Sequence, residues 1–223
     1  MRTIVVAPHP DDEILGCGGT LLRRVADGGT IAWLLMTAIL EENGWSSGRI
    51  KQRASEIDQV RQRLCIAPQH LYSLGFPAAE LDRQPISTLV GHISKVFSNF
   101  EPDEVFLPHP GDVHSDHRVT FQAASACTKW FRYPSVKRVM TYETLSETEF
   151  GLNPVENSFQ PNFFVNISDH VDLKLILLKN YQSELGDHPF PRSLDAVRAL
   201  ALLRGSQMGV QAAEAFQVLR EFD

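Results

Sequence analysis

A short stretch near the N-terminus carries an imidazole and three carboxylates directly after an apolar run. The sequence VVAPHPDDE holds His9, Asp11, Asp12 and Glu13 within five positions. One turn of chain can aim His9 and Asp12 at a single cation, and an imidazole nitrogen paired with a carboxylate oxygen suits Zn²⁺. Helix capping needs one short polar residue and no imidazole, so it does not account for the group. For Glu13 alone, the preference for acids in the first helical turn is an equally good explanation.

A second polar cluster occurs in the sequence PGDVHSDHR. A catalytic zinc site needs about three protein ligands and one open position, and His117 is the candidate third ligand. His114, three residues earlier, would face the same cavity without binding the metal. The two clusters together predict a catalytic metal centre.

The other side chains of these clusters have the chemistry that hydrolysis requires. Asp11 stands beside a ligand, where it would accept a proton from water whose pKa a metal lowers to about 7. His114 is the candidate acid that protonates a leaving amine, a role that typically contributes about 10² to 10⁴ in rate. We expect Asp116 to hold the ring of His114 and to favour its charged form.

These residues need a scaffold that brings them together, and the patterning predicts a Rossmann-like α/β fold. Short apolar runs alternate with longer helical patterns, which indicates βαβ units, a mostly parallel central sheet and a three-layer sandwich. Each cluster follows a predicted strand, 3–7 or 103–108, that ends in Pro-His-Pro. Ligands in such sheets bind beyond the carboxyl ends of the strands, so we expect both clusters at one edge.

The remaining elements follow from the same patterns. The predicted strands are 3–7, 30–37, 70–76, 103–108, 138–144 and 163–168, and the predicted helices are 13–28, 46–65, 84–99, 115–131, 169–185 and 193–204. Residues 144–162 are predicted to form a loop of unassigned role. With 43% hydrophobic residues the chain can bury one sizeable core, so we predict a single domain over residues 1–223.

The composition argues against several classes of partner. Asp and Glu number 27 against 21 Lys and Arg, a net charge of −6, which provides no basic field for nucleic acid or anionic lipid. No apolar stretch approaches the roughly 20 residues of a membrane span, and no signal-peptide pattern is present. Three widely spaced cysteines fit a reducing compartment. We expect a cytoplasmic protein that binds a small molecule and neither nucleic acid nor membrane, with a homo-oligomer left open.

At both clusters the chain resembles the PIG-L/LmbE-type zinc-dependent de-N-acetylases, which remove acetyl groups from acetamido sugars and their conjugates. The first signature of that family, A/P-H-P-D-D-E, is matched by residues 8–13, and the following GCGGT is frequent in it. The second signature, H-x-D-H, is matched by residues 114–117. The resemblance extends over nearly the whole chain and is weakest at 144–162.

The resemblance implies a role for each residue of the two clusters. His9, Asp12 and His117 would bind zinc, Asp11 would be the general base, and His114 would act as electrophile or acid with Asp116 behind it. Family members also carry an Arg and a Glu three residues later on the second helix, matched by Arg53 and Glu56.

Two further residues are candidates for contact with the substrate. Arg53 is implied to contact sugar hydroxyls, with a surface arginine as the alternative. Tyr142 is a candidate extra donor, with a buried strand tyrosine as the alternative. Glu214, in a C-terminal GVQAAEAF that resembles a common family ending, is expected to be structural.

We therefore predict a hydrolase in which zinc activates water, Asp11 accepts its proton, and the amide carbonyl of a GlcNAc-type acetamido sugar or sugar conjugate is attacked. One alternative is a zinc amidohydrolase for another acyl group or a non-sugar amide. A second is a metal-containing binding protein without turnover, against which Asp11 argues. Fe²⁺ or another divalent transition metal would accept the same ligands. A dinucleotide site is disfavoured because GCGGT lacks the spacing of G-x-G-x-x-G.

Overall fold

The computed structural model describes residues 1–152 and 158–223. In this part of the chain the strands are β1 (Arg2–Ala7), β2 (Thr30–Ala38), β3 (Leu71–Pro77), β4 (Glu104–Pro108), β5 (Arg138–Tyr142), β6 (Phe163–Asn166) and β7 (Ala213–Glu221). The α-helices are α1 (Asp12–Ala26), α2 (Ser47–Arg63), α3 (Ile86–Phe100), α4 (Ser115–Ser125), α5 (Val171–Leu178) and α6 (Leu194–Met208).

The strands form one mixed sheet in the order β3-β2-β1-β4-β5-β7-β6. Strands β1 to β5 pair in parallel, and β7 runs antiparallel between β5 and β6. The chain leaves β1 toward β2 and later returns to the other side of β1 as β4. This change of direction is the topological switch point at which ligands bind in open α/β sheets, and the predicted Rossmann-like fold is confirmed.

Helices cover both faces of the sheet, each over its own core. The first core joins the sheet to α1, α2, α5 and α6, and the second joins it to α3 and α4. Strand β1 alternates between them: Val5 enters the first core, and Ile4 and Val6 enter the second. Residues of a strand buried on both faces are apolar throughout. Because α1 and α4 leave neighbouring strands for opposite faces, a crevice opens between their N-termini.

Two predicted helices are too long. The helix predicted over 115–131 ends at Ser125, and the one predicted over 169–185 ends at Leu178. After Ser125 a short 3-10 helix over Ala126–Thr128 follows, and beyond it Trp130 and Phe131 are exposed. Beyond Leu178 the chain turns inward, which buries Tyr181 with its hydroxyl donating to Glu13 Oε1 at 2.8 Å. In both cases the apolar residues after the helix continue its apolar pattern in the sequence. Tertiary packing, which the pattern does not show, ends the helix before them.

Strand β7 was not predicted. Its first four residues are buried, but Leu219 to Glu221 are exposed, so the segment lacks the alternation or continuous apolar run by which strands are recognised. The predicted loop at 144–162 has neither helix nor strand at 144–152 and 158–162; residues 153–157 lie outside the described residues. None of the helices in the described residues is long and apolar enough to cross a bilayer.

Candidate metal centre and catalytic site

The first cluster occupies the turn between β1 and α1. Here the backbone N–H of His9 donates to Asp12 Oδ2 at 2.8 Å. Asp11, the N-cap residue of α1, has φ 131°, and among the described residues its carboxylate makes no capping hydrogen bond to the helix. Residues with side chains rarely adopt such a φ, and strained backbone of this kind concentrates at functional sites. Helix capping therefore does not explain why Asp11 is an acid.

The carboxylate of Glu13 stabilises this turn through two hydrogen bonds. Its Oε2 accepts the backbone N–H of Asp11 at 3.0 Å, while Oε1 accepts the hydroxyl of Tyr181. Burial raises the pKa of Glu13 to about 8, although both hydrogen bonds oppose that rise. Glu13 thus connects the backbone of Asp11 to the buried Tyr181. The helix-dipole preference for an acid in the first turn would not require these two hydrogen bonds.

The second cluster meets the first across the crevice. Ligand atoms of His9, Asp12 and His117 all lie within 4.8 Å of one another. Asp12 Oδ2 is 3.4 Å from His9 Nδ1 and 3.4 Å from His117 Nε2. The three predicted ligands, from the β1–α1 turn and from α4, therefore converge. Two imidazoles and one carboxylate are a donor set that fits Zn²⁺ or a similar divalent ion.

The charges of this cluster also fit a cation. Burial alone would lower the pKa of His9, but hydrogen bonds with Asp116 and Asp12 raise it to about 9. Burial likewise opposes the charged form of His117, yet Asp12 and Asp112 raise its pKa well above the ordinary value. Buried carboxylates thus favour positive charge here, and a divalent ion would supply it.

Asp112 fixes the orientation of His117 and was not predicted from the sequence. Its Oδ2 lies 2.8 Å from His117 Nδ1, and its Oδ1 accepts the Thr148 hydroxyl at 2.6 Å. Both Asp112 and His117 are buried. A carboxylate on one ring nitrogen directs the other toward the metal, as is usual around metal-ligating histidines. The signal in the sequence was an acid five residues before a candidate ligand, just after a strand.

The predicted contact between Asp116 and His114 is wrong in its geometry. Asp116 Oδ2 lies 2.9 Å from His9 Nε2, and the carboxylate accepts the backbone N–H groups of Ala79 (2.7 Å) and Leu81 (3.1 Å). It is the backbone N–H of Asp116 that holds His114, by donating to Nδ1 at 3.1 Å. The side chain of Asp116 therefore anchors His9 and the segment after β3.

The predicted charge of His114 is also corrected. Burial lowers its pKa to about 4, with His9 and His117 adding to the effect and Asp116 opposing it. An Nδ1 that accepts a hydrogen bond carries no proton, so the ring is neutral and its hydrogen is on Nε2. His114 can thus donate a hydrogen bond while uncharged. Its ring centroid lies 4.6 Å from that of His9.

A cavity of about 480 Å³ opens beside the two clusters. That volume is in the range of small-molecule sites. His9, Asp11, Asp12, His114 and His117 contribute to one wall, and the others include Trp45, Arg49, Ile50, Arg53, Ile57, Glu147, Glu184 and Arg192. Below, this space is called the catalytic cavity.

A family model described as GlcNAc-PI de-N-acetylase, PIG-L, matches residues 4–128, which include both clusters. The chain belongs to the PIG-L family. Membership identifies it as a de-N-acetylase, a hydrolase of amide bonds.

Individual relatives are more distant. The diacetylchitobiose deacetylase of Thermococcus kodakarensis is 24% identical over 219 residues, which cover 96% of this chain and 81% of the relative. The N,N'-diacetylchitobiose deacetylase structure from Pyrococcus horikoshii superposes with a TM-score of 0.79 at 23% identity, over 98% of this chain and 84% of that one.

The fold alone does not define the reaction. GalB, a 4-carboxy-2-hydroxymuconate hydratase from Pseudomonas putida KT2440, superposes with a TM-score of 0.72 at 15% identity, over 100% of this chain and 98% of that one. Function must therefore be argued from the PIG-L motifs and the residues of the site.

Arg53, matched to the arginine of the PIG-L second helix, lines the catalytic cavity from α2. It is nine-tenths buried, with 8% exposed, and Nη1 donates to the Pro10 carbonyl at 3.1 Å. Its Nη2 pairs with Glu184, and its Nε is 3.3 Å from Glu56 Oε2. The guanidinium joins α2 to the segment around residue 184. Because Arg53 is buried in the cavity wall it is not the surface arginine of the alternative, and its contact with substrate stays a prediction.

Tyr142 does not reach the cavity. It is fully buried beneath α1, where Gly16 allows its ring to approach, and its hydroxyl donates to the Val6 carbonyl at 2.9 Å. This placement gives Tyr142 a role in the core instead of the predicted contact with substrate. His109 is buried as well, edge-on to Phe159 with ring centroids 5.3 Å apart.

Arg192 also belongs to the site, although nothing in its sequence context predicts this. Its Nη1 lies 3.4 Å from Asp11 Oδ2. Burial and the charge of Asp12 raise the pKa of Asp11 to about 8, while Arg192 opposes that rise. Arg192 directly precedes Ser193, the N-cap of α6. The sequence around this arginine, FPRS, resembles no motif. Nothing in it indicates a contact with Asp11, which is 181 positions away.

Proposed function

We propose that this PIG-L de-N-acetylase uses zinc to remove the N-acetyl group from a GlcNAc-type acetamido sugar or sugar conjugate. The observation that carries the proposal is the convergence of His9, Asp12 and His117 in the wall of the catalytic cavity, with Asp11 beside them. A purely structural metal site would need neither the cavity nor the additional carboxylate.

His9, Asp12 and His117 would hold the ion. When bound, it would polarise the acetamide carbonyl and lower the pKa of water to about 7. Asp11 is the general base: its carboxylate in the cavity wall takes a proton from the attacking water. It then gives that proton to the amine nitrogen as the acetamide C–N bond breaks, so that acetate and the free amine leave. Burial raises the pKa of Asp11 and Arg192 lowers it. A divalent cation bound beside Asp11 would lower that pKa further and so favour the carboxylate that a general base requires.

His114 would assist as an electrophile. Its neutral ring carries hydrogen on Nε2, because Nδ1 accepts from the Asp116 backbone, and it therefore can donate to the acetamide oxygen as negative charge develops there. Removal of one such donor typically costs about 10² to 10³ in rate. Asp116 acts on His9, whose ring it orients through Nε2.

The cavity supports a sugar as substrate. Trp45, Ile50 and Ile57 provide apolar surface, and Arg49 and Arg53 provide donors, the combination typical of small-molecule sites. The two diacetylchitobiose deacetylases that resemble this chain support an acetamido sugar over other amides. We propose Arg53 as the residue that contacts substrate hydroxyls.

The test combines metal analysis of the purified protein with acetate release from N-acetyl sugars and their conjugates. Wild type should contain zinc, lose activity to a chelator and recover it on addition of Zn²⁺. Asp11→Asn should retain the metal yet lose turnover by about 10² to 10⁴, whereas His9→Ala should lose the metal itself.

His92→Ala, an exposed histidine on α3, is the matched control and should keep both metal and activity. Equal metal loss in Asp11→Asn and His9→Ala would contradict the division of roles. Release of a longer acid in place of acetate would instead support the alternative of a different acyl group.

A further inference from the structure

Arg192 approaches Asp11 from a segment that is itself firmly held. Ser193 accepts the backbone N–H of Ala196 at 3.1 Å as the N-cap of α6, and its own N–H donates to the Phe190 carbonyl at 2.9 Å. The Arg192 guanidinium carbon lies 5.7 Å from the Phe190 ring centroid. The backbone of Arg192 is thus fixed at the start of α6, and its side chain extends past the Phe190 ring into the wall of the catalytic cavity.

The guanidinium also lies near Glu184, which connects it to Arg53 of α2. Arg192 Nη2 lies 4.0 Å from Glu184 Oε2, and Glu184 pairs with Arg53. Arg53 in turn donates to the Pro10 carbonyl, one residue before Asp11. The connections form a closed path that begins and ends at the β1–α1 turn. Such a path fixes the position of Arg192 relative to Asp11.

Asp11 needs an external partner of this kind. Its backbone is fixed by the bond from its N–H to Glu13 and by its carbonyl, which accepts from Ile14 and Leu15 at 2.9 and 2.8 Å. These contacts leave the rotation of the carboxylate undetermined. Because the two oxygens are opposite each other, a partner that holds Oδ2 also sets the direction of Oδ1.

We propose that Arg192 is the positioning residue of the general base: it holds Oδ2 of Asp11 so that Oδ1 faces the attacking water. The inference rests on the proposed function, since it requires Asp11 to be the base. Arg192 lines the catalytic cavity, but in this role it acts through Asp11 and not through the substrate. Removing it should therefore reduce kcat and leave KM unchanged.

A double-mutant cycle tests this relation. Arg192→Ala should lower kcat by about 10²-fold, the cost of a misplaced reacting group, with metal content and KM unchanged. Arg192→Lys should recover part of kcat, and added guanidinium should restore part of the activity of Arg192→Ala. In the Asp11→Asn background Arg192→Ala should change kcat by less than about twofold, because no base remains to be oriented.

Arg198→Ala is the control. Arg198 lies on α6, where its Nη2 pairs with Asp172 Oδ1 at 2.6 Å at the surface, and its removal should leave kcat and KM unchanged in both backgrounds. Melting temperature and metal content are measured for every variant. If Arg192→Ala does not fold, Arg192→Gln takes its place in the same cycle.

Three outcomes overturn the proposal. Equal losses of kcat in the two backgrounds would mean that Arg192 acts independently of Asp11. A rise in KM with unchanged kcat would make it a substrate-binding residue. Turnover retained by Asp11→Asn alone would overturn the proposed base, and this inference with it, whereas the first two outcomes leave the proposed function intact.

Discussion

At the scale of single residues, the ring of His117 is held between two carboxylates. Nδ1 is bonded to Asp112 and Nε2 faces Asp12. A ring fixed in this way loses little freedom when a metal binds, and the carboxylate of Asp112 beside Nδ1 makes Nε2 a stronger electron-pair donor to a metal. The affinity for metal should therefore depend on Asp112, which would not itself touch the ion.

We predict that Asp112→Asn weakens metal binding by about 10- to 100-fold, as is typical when the partner of a metal-ligating histidine is lost. Competition with a chromophoric chelator measures the affinity. Thr148→Val is the matched control. It removes the donor to the opposite oxygen of Asp112 and the acceptor of the Thr144 N–H, but it leaves the contact between Asp112 and His117 in place and should cost less. Unchanged affinity in Asp112→Asn would show that Asp112 serves folding alone.

The cysteines should differ in reactivity. Burial raises the pKa of Cys17 well above its usual range and also raises that of Cys127, whereas Cys65 is exposed. The thiolate is the reactive form, so a raised pKa lowers its fraction at any given pH. With Ellman's reagent at pH 8, the native protein should show one fast thiol and the unfolded protein three. Cys65→Ser should remove the fast phase; a second fast thiol in native wild type would contradict this.

The sequence predicted residues of this site when their chemistry was unusual, and missed them when it was ordinary. His9 and Asp12 could be recognised because an imidazole and a carboxylate share one turn. Arg192 could not, because its role depends on an approach between positions 181 apart in the chain. The carboxylate of Asp116 was assigned to its neighbour His114, since sequence spacing does not show which way a side chain at a helix start points.

At the scale of elements, α1 depends on close approach. Gly16 and Gly19 face Tyr142 and Ile167, and a Cβ on Gly19 would lie 2.7 Å from Ile167 Cδ1. The backbone N–H groups of Gly19 and Thr20 donate to the carboxylate of Glu214 on β7 at 2.8 and 2.7 Å. Lys174 pairs with that carboxylate at 2.7 Å. These bonds anchor α1, which carries Asp12, to β7, a strand that is not adjacent to β1 in the sheet. Glu214 is therefore structural, as expected.

Gly16→Ala should destabilise the protein by about 1–3 kcal/mol, the usual cost of overpacking a core, because the new Cβ would lie 2.7 Å from Tyr142 Cγ. Chemical denaturation measures the change in the free energy of unfolding. Gly91→Ala is the matched control on α3, where a Cβ meets nothing within 4 Å. There alanine should stabilise by about 0.4–1 kcal/mol, as it favours the helix. Equal effects at the two positions would contradict the packing argument.

Most elements were predictable because each carries its own pattern. The runs that became β1, β2 and β4 are apolar and end at turn-forming residues, and α3 has a regular apolar stripe. Strand β7 has no such pattern, because it is buried in its first four residues and exposed in its last three. Its place between β5 and β6 is decided by pairing with distant strands, and a local pattern contains no information on that.

At the scale of the molecule, the proposed ligands come from two segments of the chain, each of which follows a different strand at the switch point. His9 and Asp12 follow β1, and His117 lies on α4 after β4. An ion bound by all three would connect helices that pack on opposite faces of the sheet. Such an ion binds the folded chain and not the unfolded one, so it should stabilise the whole fold.

Removal of metal should therefore lower the melting temperature, and zinc at 100 times its Kd should restore about 2.7 kcal/mol. Differential scanning calorimetry of the stripped and reloaded protein measures the shift. His117→Ala should abolish the dependence on zinc, and His92→Ala should retain it. A melting temperature independent of zinc in wild type would contradict binding at this centre.

The single domain over residues 1–223, the cytoplasmic location and the open question of a homo-oligomer stay predictions.

The bond between Gly19 and Glu214 also sets an order of events in the cell. The two residues are 195 positions apart, so the ribosome releases α1 long before it releases β7. Until then the amides of Gly19 and Thr20 lack the carboxylate that anchors them in the mature enzyme. Completion of the catalytic centre should therefore depend on β7, which is translated well after the residues of the β1–α1 turn.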